Sequence, residues 1–195
     1  MEPTPAGVPA HITLLPPTLV PTDRLDEVEG HLREVVTRTG PFGVHLRGSG
    51  TFRPVSPVTF VQVATGIGPC ELLEARVRSG PLARPLQYPY HPHVTVAQNV
   101  DPAVLDRVEA DLAQFDARFD VCSVDLYEAP PAPGTTRTDA HADGDGADAR
   151  QVSGPWSLRT VFALSAQPDP VPARLPVSRR RPAVRPAERA APSGA

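Results

Sequence analysis

The sequence predicts an α+β domain with two pseudo-symmetric lobes of mainly antiparallel sheet, helices outside and a central cleft. Three observations lead there. The hydrophobic pattern runs strand–helix–strand twice along the chain. Each run opens on the same kind of tetrad, His11-Ile12-Thr13-Leu14 and His93-Val94-Thr95-Val96, 82 residues apart (93 − 11). Proline and glycine pairs punctuate the elements and keep them short. The two His-x-Thr strands should be central, related by a pseudo-two-fold axis, in two small sheets that face one another.

The elements follow in order. Residues 10–15 (Ala-His-Ile-Thr-Leu-Leu) read as a short strand stopped by Pro16-Pro17. Thr22 or Asp23 can cap the next helix, whose apolar Leu25, Val28, Leu32, Val35 and Val36 recur at helical spacing. Gly40-Pro41 ends it. Phe42 to Phe52 and Val58 to Ala64 are strands, separated at Pro54 and Pro57. Gly66 to Pro69 reads as a turn and Cys70 to Arg78 as a helix closed by Gly80-Pro81. His93 to Ala97 is a strand. Asp101-Pro102 opens a helix, with proline in its first turn and a stripe of Val104, Leu105, Val108, Leu112 and Phe115. Phe119 to Tyr127 alternates as one strand, and Trp156 to Ser165 is the last.

Composition sets the domain limits. The 195 residues include 26 prolines, clustered at Pro130–Pro133 and from Pro168 onward, so the ordered part is shorter than the chain. Residues 1–166 read as one domain, with a mobile loop rich in Pro, Ala, Gly and Asp at 131–155. Residues 167–195 read as a disordered Pro/Arg/Ala-rich tail. All 19 basic residues are arginine. Residues 1–130 carry 10 Arg against 16 Asp and Glu, a balance of −6, while 167–195 carry 6 against 2, or +4. An acidic domain is a poor docking surface for long nucleic acid, because phosphate neutralisation drives such binding. It leaves room for a small nucleotide or an RNA end. Cys70 and Cys122 have neither metal-type spacing nor disulfide density, which fits a reduced, cytoplasmic setting. Met1 to Ala10 lacks a basic stretch followed by an apolar run, and no stretch approaches the ~18 apolar residues of a membrane span. Neither a signal peptide nor membrane association is expected, and no stable protein partner is predicted.

The repeated tetrad carries the chemistry. In a strand, residues two apart share a face, so each histidine stands beside its threonine. Histidine titrates near neutrality, so a pair can hold one neutral and one protonated ring at the same pH. The neutral ring takes a proton from the attacking group and the protonated ring gives one to the departing oxygen. A threonine hydroxyl can donate to a non-bridging phosphate oxygen. This arrangement suits in-line displacement at phosphorus and needs no metal or cofactor.

With these residues in place, the chain resembles the two-histidine (2H) phosphoesterase superfamily, and within it the bacterial 2′-5′ RNA ligase-like proteins. The likeness covers roughly residues 8–166. It implies catalytic residues His11 and His93, phosphate-binding hydroxyls Thr13 and Thr95, and no metal. It also implies a cyclic phosphodiesterase, 2′,5′-phosphodiester hydrolase or RNA ligase type of activity. The substrates would be RNA ends or small nucleotides bearing a 2′,3′-cyclic phosphate or a 2′,5′ linkage. After the second motif some branches carry a basic residue; here Ala97-Gln98-Asn99 follows, so Gln98, Arg47 or Arg53 is a substitute contact for the anion.

Other readings compete. His11, His91 and His93 could together bind zinc in a hydrolase. A non-catalytic nucleotide-binding module would keep the same cleft. Tyr88 and Tyr90 could stack on a base, or simply pack. Asp143-Gly144-Asp145-Gly146 lacks the spacing and closing glutamate of a calcium loop and reads as a solvated linker. Arg179-Arg180-Arg181 reads as part of a soluble tail. Deleting residues 168–195 should leave the melting temperature and cleft chemistry nearly unchanged. A large fall in melting temperature would show that the tail packs on the core.

Overall fold

A computed structural model describes residues 8–130 and 155–165. Apart from Pro155, the expected mobile loop at 131–155 lies outside the described residues, as does the 167–195 tail. The described elements are α1 (Leu25–Thr37), β1 (Phe42–Thr51), β2 (Val58–Thr65), α2 (Ile67–Val77), β3 (His93–Gln98), α3 (Pro102–Asp111), β4 (Asp116–Val121), β5 (Ser123–Glu128) and β6 (Ser157–Ala163). Every strand pairing is antiparallel. One sheet has the order β3-β2-β1-β4 and the other pairs β5 with β6. The fold class is therefore the expected α+β, with antiparallel sheet and few helices.

The buried apolar residues form two clusters, and α2 contributes to both. In the first, Val28, Leu32, Val35 and Val36 of α1 meet Leu73 and Val77 of α2 and Phe162 of β6. The helical spacing read from the sequence is the spacing that buries this face. In the second, Val44 and Leu46 of β1 and Val61 and Val63 of β2 pack with Cys70 of α2. Phe42 and Val121 pack against both cores, so the paired ends of β1 and β4 join them. Leu105 of α3 is fully buried beneath the four-stranded sheet, where Thr59 donates to its carbonyl at 3.4 Å.

Several local expectations need correction. Residues 10–15 form no strand. Proline at positions 9, 16 and 17 removes ladder donors on both sides. Side chains take the carbonyls instead: the His11 ring bonds Pro9 O and the Tyr90 hydroxyl bonds Thr13 O. The second His-x-Thr strand, β3, lies at the edge of its sheet and not at its centre. The stretch from Phe119 to Tyr127 is two strands in two sheets, because the apolar alternation slips phase between Val121 and Val124. Thr22–Arg24 form a 3-10 turn, so neither Thr22 nor Asp23 caps α1, which starts at Leu25 without a side-chain cap bond. Helix α2 already begins at Ile67. Gly66 precedes it at φ 96°, and a Cβ there would come within 2.8 Å of Gly43 O, so glycine is required. Asp101 caps α3 as expected, accepting from Ala103 N at 2.8 Å. Of the predicted α3 stripe, Val104 and Phe115 stay partly exposed, at 42% and 36%.

Candidate active site

Strand β3 presents the second motif. Val94 is paired with Val61 of β2, and both pack into the second core. Side chains alternate across the sheet, so His93 and Thr95 stand on the opposite face, across from Gln62 and Phe60 respectively. Thr95 is exposed and His93 is half-buried. The His93 ring meets Phe52 edge-on, with centroids 4.9 Å apart and planes at 89°, and lies 5.1 Å from Phe60 at 57°. His91 joins the same cluster, 6.3 Å from His93 with nearly parallel rings.

The first motif reaches this region along an irregular segment. Ile12 packs against the second core, as do Val94 and Tyr90. The Tyr90 hydroxyl donates to Thr13 O at 3.1 Å, tying the first motif to the residues that lead into the second. His11 and Thr13 are both exposed. Tyr90 thus packs and tethers, and burial pushes its hydroxyl pKa well above the ordinary range.

Both histidines are held in the same way. His11 Nδ1 lies 2.8 Å from Pro9 O and His93 Nδ1 lies 2.7 Å from His91 O, in each case the carbonyl two residues earlier. A carbonyl oxygen only accepts, so in each ring Nδ1 carries the proton and donates. Nε2 is left to accept or to hold a second proton. Burial lowers the pKa of His93 below its ordinary value of 6.5; its bond to His91 O opposes this, and the positive charges of His91 and His11 add to the lowering.

The substitute anion contacts fare unequally. Arg53 is committed to α3, with bonds to Asp106 at 2.7 Å and Glu109 at 3.0 Å. Gln98 is exposed at the end of β3 opposite Val58, and Arg47 is exposed on β1 opposite Asp116. His11, His91 and His93 do not make a group of three that could hold a metal ion, and no such group exists among the described residues. Among those residues, no helix is long and apolar enough to cross a membrane. Both cysteines are free: Cys70 is buried, which raises its thiol pKa to about 11, and Cys122 is exposed.

Sequence reasoning missed Phe52 and Phe60. One signal was present. The alternation Val61, Val63 leaves Phe60 on the opposite face of β2 beside Gln62, away from the second core, where an aromatic residue needs a partner.

Comparison with known proteins gives the family. A family model of the 2′-5′ RNA ligase superfamily matches residues 2–130, and the chain belongs to that superfamily. A Bacillus cytotoxicus protein provisionally named a phosphoesterase is 32% identical over 102 residues, covering 52% of this chain and 59% of that protein. A similarly named Bacillus cereus protein is 29% identical over the same length and shares. The chain thus spans 59% of the length of these curated relatives. Among solved structures, TT0787 of Thermus thermophilus is 20% identical with a TM-score of 0.49, covering 83% of this chain and 82% of that one. Escherichia coli LigT complexed with NADP+ is 21% identical with a TM-score of 0.48, covering 84% of each chain.

The Tyr90 tether predicts a small, measurable effect. Tyr90→Phe removes one hydrogen bond and should cost about 1 kcal/mol in chemical denaturation. It should also speed amide exchange around Thr13 more than around β3. Equal exchange in both places would show that the tether does not hold the first motif.

Proposed function

We propose that the chain is a metal-independent phosphoesterase acting on 2′,3′-cyclic phosphates or 2′,5′-linked nucleotides at RNA ends or in small nucleotides. The matched Nδ1 tethers carry this reading. They prepare the Nε2 atoms of His11 and His93 for proton transfer, as a pair acting on one phosphate requires. Membership of the superfamily supports it.

Hydrolysis of a cyclic phosphate then runs as follows. Neutral His93 takes a proton from water at Nε2 as the water oxygen attacks phosphorus. Protonated His11 gives its Nε2 proton to the departing ribose oxygen. One P–O bond forms and one breaks, and the product is a phosphate monoester. His93 is the better base candidate because its burial disfavours the second proton. The hydroxyls of Thr13 and Thr95 donate to the non-bridging oxygens, where negative charge shifts during displacement.

Turnover of 2′,3′-cyclic nucleotides and 2′,5′-linked dinucleotides in the presence of EDTA tests the reading. His11→Ala and His93→Ala should each lower kcat by roughly 10²–10⁴. The double variant should lose far less than the product of the two, because the residues act as a unit. Thr13→Val or Thr95→Val should cost about 1–3 kcal/mol, the scale of one hydrogen bond to a charged oxygen. The base must be neutral to act, so kcat/KM should rise with pH along an acid limb whose midpoint lies below 6.5. Inhibition by EDTA, reversed by zinc and joined to a severe His91→Ala defect, would move the assignment to a zinc hydrolase. Nucleotide binding without turnover would make the chain a binding module.

A further inference from the structure

We propose that Phe52 and Phe60 are positioning residues for His93, forming an aromatic socket that keeps one side of its ring dry and directs Nε2 toward the substrate. This rests on the proposed role of His93 and explains how two equivalent motifs come to do unequal work.

Five observations support the socket. The His93 ring touches both phenylalanines, at 4.9 and 5.1 Å between centroids. The two phenylalanine rings pack on each other at 4.3 Å, so they act as one surface. Phe60 is only 4% exposed although it stands on the outer face of β2. Gly50, its cross-strand partner, makes room for it: a Cβ there would lie 2.9 Å from two Phe60 ring atoms. The turn that carries Phe52 is anchored by the neighbouring Arg53, whose guanidinium binds Asp106 and Glu109 on α3.

The socket breaks the symmetry of the motifs. Among the described residues, His11 makes no such ring contact and is exposed. An imidazole against two aromatic rings loses water on that side, and burial disfavours its charged form. The titratable groups that act on His93 are His91, in its own strand lead-in, and His11, from the first-motif segment. From β2, Phe60 and Gln62 contribute no charge, and Arg53 is neutralised by its two carboxylates. His91 shares the socket, lying 5.7 Å from Phe52 and 5.6 Å from Phe60.

The test reads the His93 ring directly, by NMR titration of its Cε1–H signal in the full chain, alongside the pH profile of turnover. Phe52→Ala opens the less buried wall. Gly50→Ala displaces Phe60 without deleting it, and Phe52→Tyr keeps the aromatic face. The His93 midpoint should move up in Phe52→Ala and Gly50→Ala and return in Phe52→Tyr. The acid limb of kcat/KM should move with it. Turnover of Phe52→Ala should then fall several-fold near pH 6 and stay within about threefold near pH 8, where the ring is neutral in either case. A His93 midpoint unchanged in both folded variants would overturn the socket, whatever the activity. An upward shift in a protein with no turnover would sustain the socket and instead overturn the enzymatic reading.

Discussion

The arrangement depends on a backbone carbonyl that can only accept a hydrogen bond. Pro9 O and His91 O each accept a hydrogen bond from the Nδ1–H of the histidine two residues later. That contact selects one tautomer, fixes the ring plane and frees Nε2. It works on an irregular segment as well as on a strand, since it needs only the local turn of the chain. The first motif can therefore make it without a sheet around it. Proline at both carbonyl-bearing or adjacent positions, Pro9 and Pro92, restricts the local backbone and supports that short-range bond.

Around this contact the two cores divide the work. The second core holds β3 by Val94 and the first-motif segment by Ile12, so both motifs rest on one apolar support. The first core is built from α1, α2 and β6, and α2 also reaches the second through Cys70. Phe42 and Val121 pack against both and link them where β1 pairs with β4. Tyr90 adds a polar tie between the motifs from within the second core. The open sheet face keeps the polar groups, with a local aromatic cluster where His93 needs dryness.

Much of this was legible from residue pattern. The α1 face, β1, β2, β3 and the Asp101 cap follow from periodicity and capping chemistry. The His/Thr pairs were visible because a strand places them on one face, and the family resemblance rested on them. What escaped depended on competition that pattern does not record. Ala10 to Leu15 alternates like a strand, yet flanking prolines and side-chain bonds to its carbonyls leave it outside any ladder. Phe119 to Tyr127 reads as one strand unless the phase slip at Cys122 is noticed. Arg53 was a plausible anion contact by charge alone, but two carboxylates of α3 hold it. Phe52 is separated from His93 by 41 residues (93 − 52), and only the folded hairpin brings their rings together.

The central claim is that His11 and His93 act on one phosphate. Its most direct test is NMR titration of the histidine Cε1–H signals with a nucleoside 2′-monophosphate, the kind of product the reaction would release. Signals are assigned with His11→Gln and His93→Gln variants. The account predicts that both rings shift together and saturate with a single Kd, and that either substitution weakens the binding seen by the other ring. Movement of one ring alone, or two unrelated saturation curves, would contradict it.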